Sequence, residues 1–188
     1  MIIATLTTEE IRERDLEIEM LLGCLSRGEK SALRDLYALI RTDVFAYALS
    51  KTGNKQDADD VVQDTFVHIY KYAKQYKPLG KPLAWIFTIE HNLIRRQFQL
   101  RKRTVEFEES FVDVADSRDT EERIVENEFL RTLLQTLNEE ERELISLHIV
   151  SGMKHREIAK LLGKPLSTIL SKYNRAIKKL QNTIKEEK

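Results

Sequence analysis

Apolar residues recur along this chain at three- and four-residue intervals nearly from end to end, and nowhere do β-branched residues alternate with polar ones over a strand's length. That spacing predicts an all-α protein. Glycines punctuate the pattern: Gly28, Gly53, Gly80, Gly152 and Gly163 each adjoin the end of a periodic run. The breaks predict helices at roughly 8–26, 30–52, 56–74, 82–102, 120–136, 138–151, 154–162 and 166–184. Asp119 with Glu122, and Asn138 with Glu141, have the spacing of capping boxes that start a helix.

The period lapses over residues 104–119, TVEFEESFVDVADSRD, which are acidic and have the composition of a tether. The predicted architecture is therefore two small helical domains, residues 1–103 and 120–188, joined by a flexible acidic linker at 104–119.

Two segments pair helical periodicity with a polar face suited to binding. In REIAKLLGKPLSTILSKYNR, residues 156–175, Gly163, Lys164 and Pro165 interrupt an otherwise continuous helix. Projected at about 100° per residue, Leu166, Ile169, Leu170, Tyr173, Ile177 and Leu180 gather on one side of the second helix. Ser171, Lys172, Arg175 and Lys179 lie on the other, with Ser167 and Thr168 at its start. An amphipathic hairpin with a solvated basic face has some of these parts. A short first helix, a Gly-containing turn, early hydroxyls and outward cations together favour a helix-turn-helix that enters a DNA major groove.

Earlier in the chain, the helix from Gln56 carries Asp57, Asp60 and Asp64 on a stripe expected to face outward, with Gln63 beside them and Val62, Phe66 and Ile69 turned inward. Acidic, partly apolar surfaces suit basic protein partners. The next helix puts Ile86, Ile89 and Leu93 on its packing side and Thr88, Asn92, Arg95, Gln99 and Lys102 opposite, flanked by Arg96 and Arg103. The loop before it holds Lys74, Tyr76, Lys77 and Lys81, able to touch phosphate and stack a base.

The 188 residues are 41% hydrophobic and 33% charged, enough for one core or two small ones. A net charge of zero would argue against a nucleic-acid partner, but the charge is segregated. Residues 81–103 hold six Lys or Arg against one acid, a net +5; residues 104–128 hold ten acids against two Arg, a net −8; residues 151–188 hold ten Lys or Arg against three Glu, a net +7. Two patches can attract phosphate, and the acidic stretch between them cannot. No apolar run is long enough to span a bilayer and the N-terminus lacks signal-peptide features, so a cytoplasmic protein without direct membrane insertion is expected. Cys24, the single cysteine, sits among apolar residues and reads as a packed thiol. His68, His91, His148 and His155 have no metal-ligand spacing and no Gly-rich phosphate loop precedes a helix, so no metal, no cofactor, no small-molecule substrate and no catalysis are expected.

Taken in order, DADDVVQDTFVHIY, then PLAWIFTIEHNL, then, after the acidic linker, LNEEERELISLHIVSGMKHREIAKLLGKPLSTILSKYNRAIKKL resemble the extracytoplasmic-function (ECF) sigma factors of bacterial RNA polymerase over about residues 20–185. The resemblance implies that the first domain binds the β′ clamp helices of core polymerase and the −10 promoter element, and the second the β flap and the −35 element. By position it assigns Asp57, Asp60, Gln63, Asp64 and Phe66 to polymerase binding. Lys74, Tyr76, Lys77, Lys81, Asn92, Arg95 and Arg96 fall to the −10 element, and Ser167, Thr168, Ser171, Lys172, Arg175 and Lys179 to the −35 element. Family members are often held inactive by an anti-sigma factor, which is an expected partner. Leu170 replaces a frequent lysine, and Arg96 stands where an aspartate is usual. A conventional helix-turn-helix regulator would explain residues 138–188 but leave residues 57–103 without a role, and a purely protein-binding helical adaptor would leave both basic patches unexplained.

Overall fold

In a computed structural model the described residues are 8–105 and 136–186. They form seven α-helices and no strand: α1 Thr8–Ser26, α2 Ser31–Thr52, α3 Lys55–Tyr72, α4 Pro82–Val105, α5 Glu139–Ile145, α6 His155–Leu162 and α7 Leu166–Glu186. A 3-10 turn, Ala73–Gln75, follows α3, and a π turn, Ser146–Val150, continues α5. The all-α expectation holds. The predicted helix at 138–151 is instead a two-turn α-helix that loosens into the π turn. Residues 104 and 105 still belong to α4, while the rest of the expected linker, the helix at 120–136 up to residue 135 and the Asp119–Glu122 box lie outside the described residues.

Local chemistry sets the helix ends. Gly53 adopts φ 72°, returning its N–H to Leu49 O and closing α2, a conformation that a side chain would strain. Asn54 at once starts α3: its Oδ1 accepts the Asp57 N–H at 2.9 Å, and its Nδ2 donates to Asp57 Oδ2 at 2.6 Å. Gly163 does for α6 what Gly53 does for α2, at φ 62°, with the Lys164 N–H reaching back to Ala159 O at 3.0 Å. Pro165 then leads into α7, its carbonyl accepting from Ile169 N. The interruption read in the sequence is this helix-turn-helix corner.

Helices α1 to α4 bury Ile18, Leu22, Leu36, Ile40, Val44, Val62, Phe66, Ile69, Ile86 and Phe87 between them. In the C-terminal unit Leu144, Leu147, Met153, Ile158, Ile169 and Ala176 hold α5, α6 and α7 together. Each fully buried Leu or Ile stabilises by about 1.5–3 kcal/mol relative to exposure. Ile169→Ala should therefore cost about 2–5 kcal/mol and loosen this small unit, read as a lowered thermal midpoint.

Two faces are rotated from expectation. The buried side of α4 is Leu83, Ile86, Phe87, Glu90 and Ile94, with Ile89 and Leu93 at its margins, because the helix turns the apolar Ile86–Phe87 pair fully inward and carries Glu90 in with it. On α7, Leu170 is exposed and Ala176 takes the buried place one helical row away, beside Ile169. The two units are also not independent: the buried residues of α5 and the π turn join those of α2 and α4 in one continuous cluster.

Candidate protein and nucleic-acid interfaces

Asp60, Gln63 and Asp64 lie exposed on α3, and the same row continues through Val67, 61% exposed, and Tyr70. The side is acidic where it begins and apolar where it ends. Asp57 is not part of it. As the third residue of the helix it is drawn into the Asn54 cap and buried, so the expected outward stripe starts at Asp60. Phe66 is core, 4.8 Å from the Tyr37 ring. Beside the stripe, Arg41 lies over the Tyr37 and Phe45 rings and pairs with Asp59 at 3.6 Å.

The loop between the 3-10 turn and α4 is pinned from behind. Glu19 Oε1 of α1 accepts both the Tyr76 hydroxyl at 2.6 Å and the Gly80 N–H at 2.8 Å, and the Tyr76 ring leans on Trp85 at 5.2 Å. Burial, reinforced by the Glu19 carboxylate, pushes the Tyr76 hydroxyl far above its ordinary value. Tyr76 thus shapes the loop from inside through its hydroxyl, with its half-buried ring beside Trp85. Outward, the 3-10 turn offers Lys74, and the loop offers Lys77 and, at its tip, Leu79. Lys81 is paired with Glu157 of α6 at 3.2 Å. Along α4, Asn92, Arg95 and Arg96 are all exposed.

On α7, Ser167, Ser171 and Arg175 are exposed and Thr168 is half-buried, with Ser171 Oγ donating to Thr168 O at 3.0 Å. The lysines are less free. Lys172 and Lys164 both bind Glu140, the latter at 2.8 Å, and Lys179 donates to Glu141 at 2.7 Å. Glu141 is nearly inaccessible and closes the α5 capping box with Asn138. Burial raises its carboxyl, but the Lys179 bond, the Asn138 N–H and the nearby Arg175 outweigh that and leave it below the ordinary range. Lys179 therefore clamps α7 to α5. Behind the turn, the His148 and His155 rings pack 4.2 Å apart with Tyr173 edge-on to both; burial, then His148, lowers the His155 value. These histidines are packing groups, and no cluster of three metal-ligating side chains occurs among the described residues.

The residues that sequence reasoning passed over lie at the seam between the units. The Tyr47 hydroxyl, stacked in the core against Phe87, donates to Glu143 Oε1 at 3.1 Å and lies 3.1 Å from His91 Nδ1. Lys51 Nζ reaches Glu139 at 2.9 Å and Glu143 at 3.2 Å. Burial raises the Glu143 carboxyl, but His91 and Lys51 overcome this and hold it below its usual value. A helical signal for this existed in NEEERE: Glu139 and Glu143, four residues apart, share one side of a helix.

The family descriptions "Sigma-70 region 2" and "Sigma-70, region 4" match residues 36–104 and 129–180. The chain is 33% identical over 150 residues to the ECF RNA polymerase sigma factor EcfG of Rhodopseudomonas palustris, covering 79% of this chain and 83% of that one. It is 25% identical to SigK of Mycobacterium ulcerans, covering 91% and 95%. Among solved structures it resembles RpoE of Bartonella quintana in complex with the anti-sigma factor NepR, with a TM-score of 0.59 and 25% identity over 82% of this chain and 98% of that one. CnrH in complex with the cytosolic domain of CnrY gives 0.55 and 25% over 92% and 99%.

Proposed function

Because the chain belongs to the ECF sigma factors of bacterial RNA polymerase, and so acts in promoter-specific transcription initiation, we propose how its surfaces divide that task. Residues 1–103 bind core polymerase and the −10 element, and residues 120–188 bind the β flap and the −35 element. The α3 side formed by Asp60, Gln63, Asp64 and Val67 docks on the β′ clamp helices. Asp57 and Phe66 support that side from within. Lys74, Lys77, Asn92, Arg95 and Arg96 meet the strand-separated −10 element, and Ser167, Thr168, Ser171, Lys172 and Arg175 enter the major groove at the −35 element. Tyr76 and Lys179 position these surfaces. The polymerase performs the chemistry, and the protein works in the cytoplasm, where its polymerase and promoters are. An anti-sigma factor is its regulator, as partners so described accompany the RpoE relative.

One observation carries this reading: the exposed acidic and apolar side of α3 and the exposed Ser167–Ser171–Arg175 face of α7 lie on separate units, so protein docking and DNA reading do not compete for one surface. Run-off transcription with purified core polymerase and genomic DNA tests it. Discrete start sites should appear only when this protein is added; a pattern identical to core alone would exclude the reading.

Within α7 the assignment separates two cations. Arg175→Ala should leave the fold intact and weaken binding to an intact −35 duplex by about 1–3 kcal/mol. Lys179→Ala should lower the thermal midpoint, because it leaves the enclosed Glu141 carboxylate without its ammonium partner. Anisotropy titrations and melting curves on both variants check this. Equal melting of Lys179→Ala and the native protein would place Lys179 back among the DNA contacts.

A further inference from the structure

The loop that carries Lys77 and Leu79 is anchored at both ends and exposed between them. Ala73 of the 3-10 turn before it and Leu83 of α4 after it are buried in the core, whereas residues 77–80 are all exposed. Pro78 and Pro82 each hold their own φ at about −65°, and Gly80 takes φ 70°, so few backbone rotations are left to fix. One atom ties the tip down. Glu19 Oε1 accepts from the Tyr76 hydroxyl at 2.6 Å and from the Gly80 N–H at 2.8 Å, which joins the two sides of the loop at a common point on α1. Glu19 is itself placed by the core, since Ile18 before it and Leu22 one turn on are fully buried. Burial, the Glu19 carboxylate and then Asp15, one turn earlier on α1, keep the Tyr76 hydroxyl protonated through the neutral range, so it stays a donor.

We propose that Glu19 is a positioning residue of the −10 surface: it acts on DNA only through the loop, holding Lys77 and Leu79 in the arrangement that receives the separated strand. Resting on the assignment of this loop to the −10 element, the role extends that surface to a carboxylate sixty-one residues before Gly80. A loop left free would lose its backbone freedom at the moment it captures a strand, and that cost would be taken from the affinity. Ordering the loop in the free protein removes the cost beforehand. A tie at an exposed tip also contributes little to global unfolding, because such segments open locally without disturbing the core. The two bonds at Glu19 therefore bear on what the loop can bind more than on whether the chain folds.

Trp85 is the single tryptophan of the chain and lies 5.2 Å from the Tyr76 ring, so its fluorescence reports on the loop in the free protein. Glu19→Ala should about double the acrylamide quenching of Trp85 while the thermal midpoint moves little. The DNA arm uses the full chain assembled on core polymerase and a single-stranded oligonucleotide spanning the −10 position of a start site mapped by run-off transcription. Glu19→Ala should weaken binding to it about tenfold and leave the affinities for core polymerase and for a −35 duplex unchanged. Glu19→Gln keeps an oxygen able to accept both bonds and should recover most of the loss, which a role for the charge alone would not allow. Tyr76→Phe removes one of the two bonds, keeps the ring beside Trp85 and should cost about threefold; it carries the test should Glu19→Ala unfold. Unchanged Trp85 quenching in Glu19→Ala would overturn the tie, and a freed loop with native affinity for the oligonucleotide would overturn the positioning role while leaving the −10 assignment standing. A parallel loss of −35 binding and of thermal stability would also overturn it, because that is a general weakening of the fold. Native protein that directs defined start sites yet has no affinity for the oligonucleotide would refute the −10 assignment itself, and the positioning role with it.

Discussion

A Glu90→Leu protein is expected to melt about 5 °C higher than the native sequence at neutral pH. Glu90 is completely enclosed at the centre of the buried face of α4, and neither carboxylate oxygen has a hydrogen-bond partner among the described residues. Burial pushes its carboxyl well above the ordinary value, and the nearby Ala48 backbone offsets only part of this. The folded chain therefore binds a proton that the unfolded chain releases near pH 4.3. Because the native state holds more protons from there up to the raised value, stability falls as pH rises, by up to about 1.4 kcal/mol per unit. Leucine fills a similar volume without a polar group, and exchanging buried ionisable groups for apolar ones gains about 1–4 kcal/mol. In a domain of this size each kcal/mol moves the midpoint by about 2–4 °C. The difference between variant and native midpoints should widen as pH rises above the unfolded value, which scanning fluorimetry in a buffer series resolves. Glu90→Gln separates the contributions: it removes the widening with pH but keeps an unsatisfied polar end, so it should stabilise less than leucine. A leucine variant that melts below the native protein at pH 7 would show that Glu90 has a partner the fold needs.

Glu90 also marks where the sequence stops being legible. Helices were readable because their periodicity and end signals agree: Gly53 followed by Asn54 closes one helix and opens the next, and Gly163 with Pro165 does the same for α6 and α7. The packing face of α4 was misjudged by one helical row because a charged residue is ordinarily assigned to water. Here the burial of Leu83, Ile86, Phe87 and Ile94 outweighs the cost of enclosing one carboxyl group. Asp57 illustrates a different ambiguity. Spacing alone puts it on a stripe with Asp60 and Asp64, yet the third position of a capped helix attracts the same residue type for a local reason. Lys172, Lys179 and Tyr76 were recognisable as polar groups on binding surfaces, but their partners Glu140, Glu141 and Glu19 come from other helices. One-dimensional spacing carries no information on which cation meets which carboxylate, and the seam formed by Tyr47, His91 and Glu143 depends on such meetings across ninety-six residues of chain.

Asp57 and Asp60 should accordingly fail in different ways when changed, and the contrast identifies the polymerase-facing side. Asp60 and Asp64 are exposed on α3 with no structural burden in their immediate surroundings, and exposed substitutions of that kind usually alter stability by less than about 0.5 kcal/mol. Converting both to lysine places like charges against a basic partner, which costs several kcal/mol at an interface. With each 1.4 kcal/mol worth a factor of ten, affinity for core polymerase should fall by a hundredfold or more at moderate salt. Asp57→Ala removes one half of the Asn54 cap instead, at about 1 kcal/mol of stability, and should leave the affinity of folded protein for core polymerase nearly unchanged. Val67→Asp adds a test of the apolar end of the same side: it introduces no buried charge, since Val67 is exposed, yet it should weaken core binding if that end is covered in the complex. Titrating labelled protein with core polymerase, alongside melting curves for each variant, distinguishes the outcomes. Should the double lysine variant bind as tightly as the native chain while Asp57→Ala loses affinity without losing stability, the docking side would have to be redrawn around the start of α3 rather than its exposed middle.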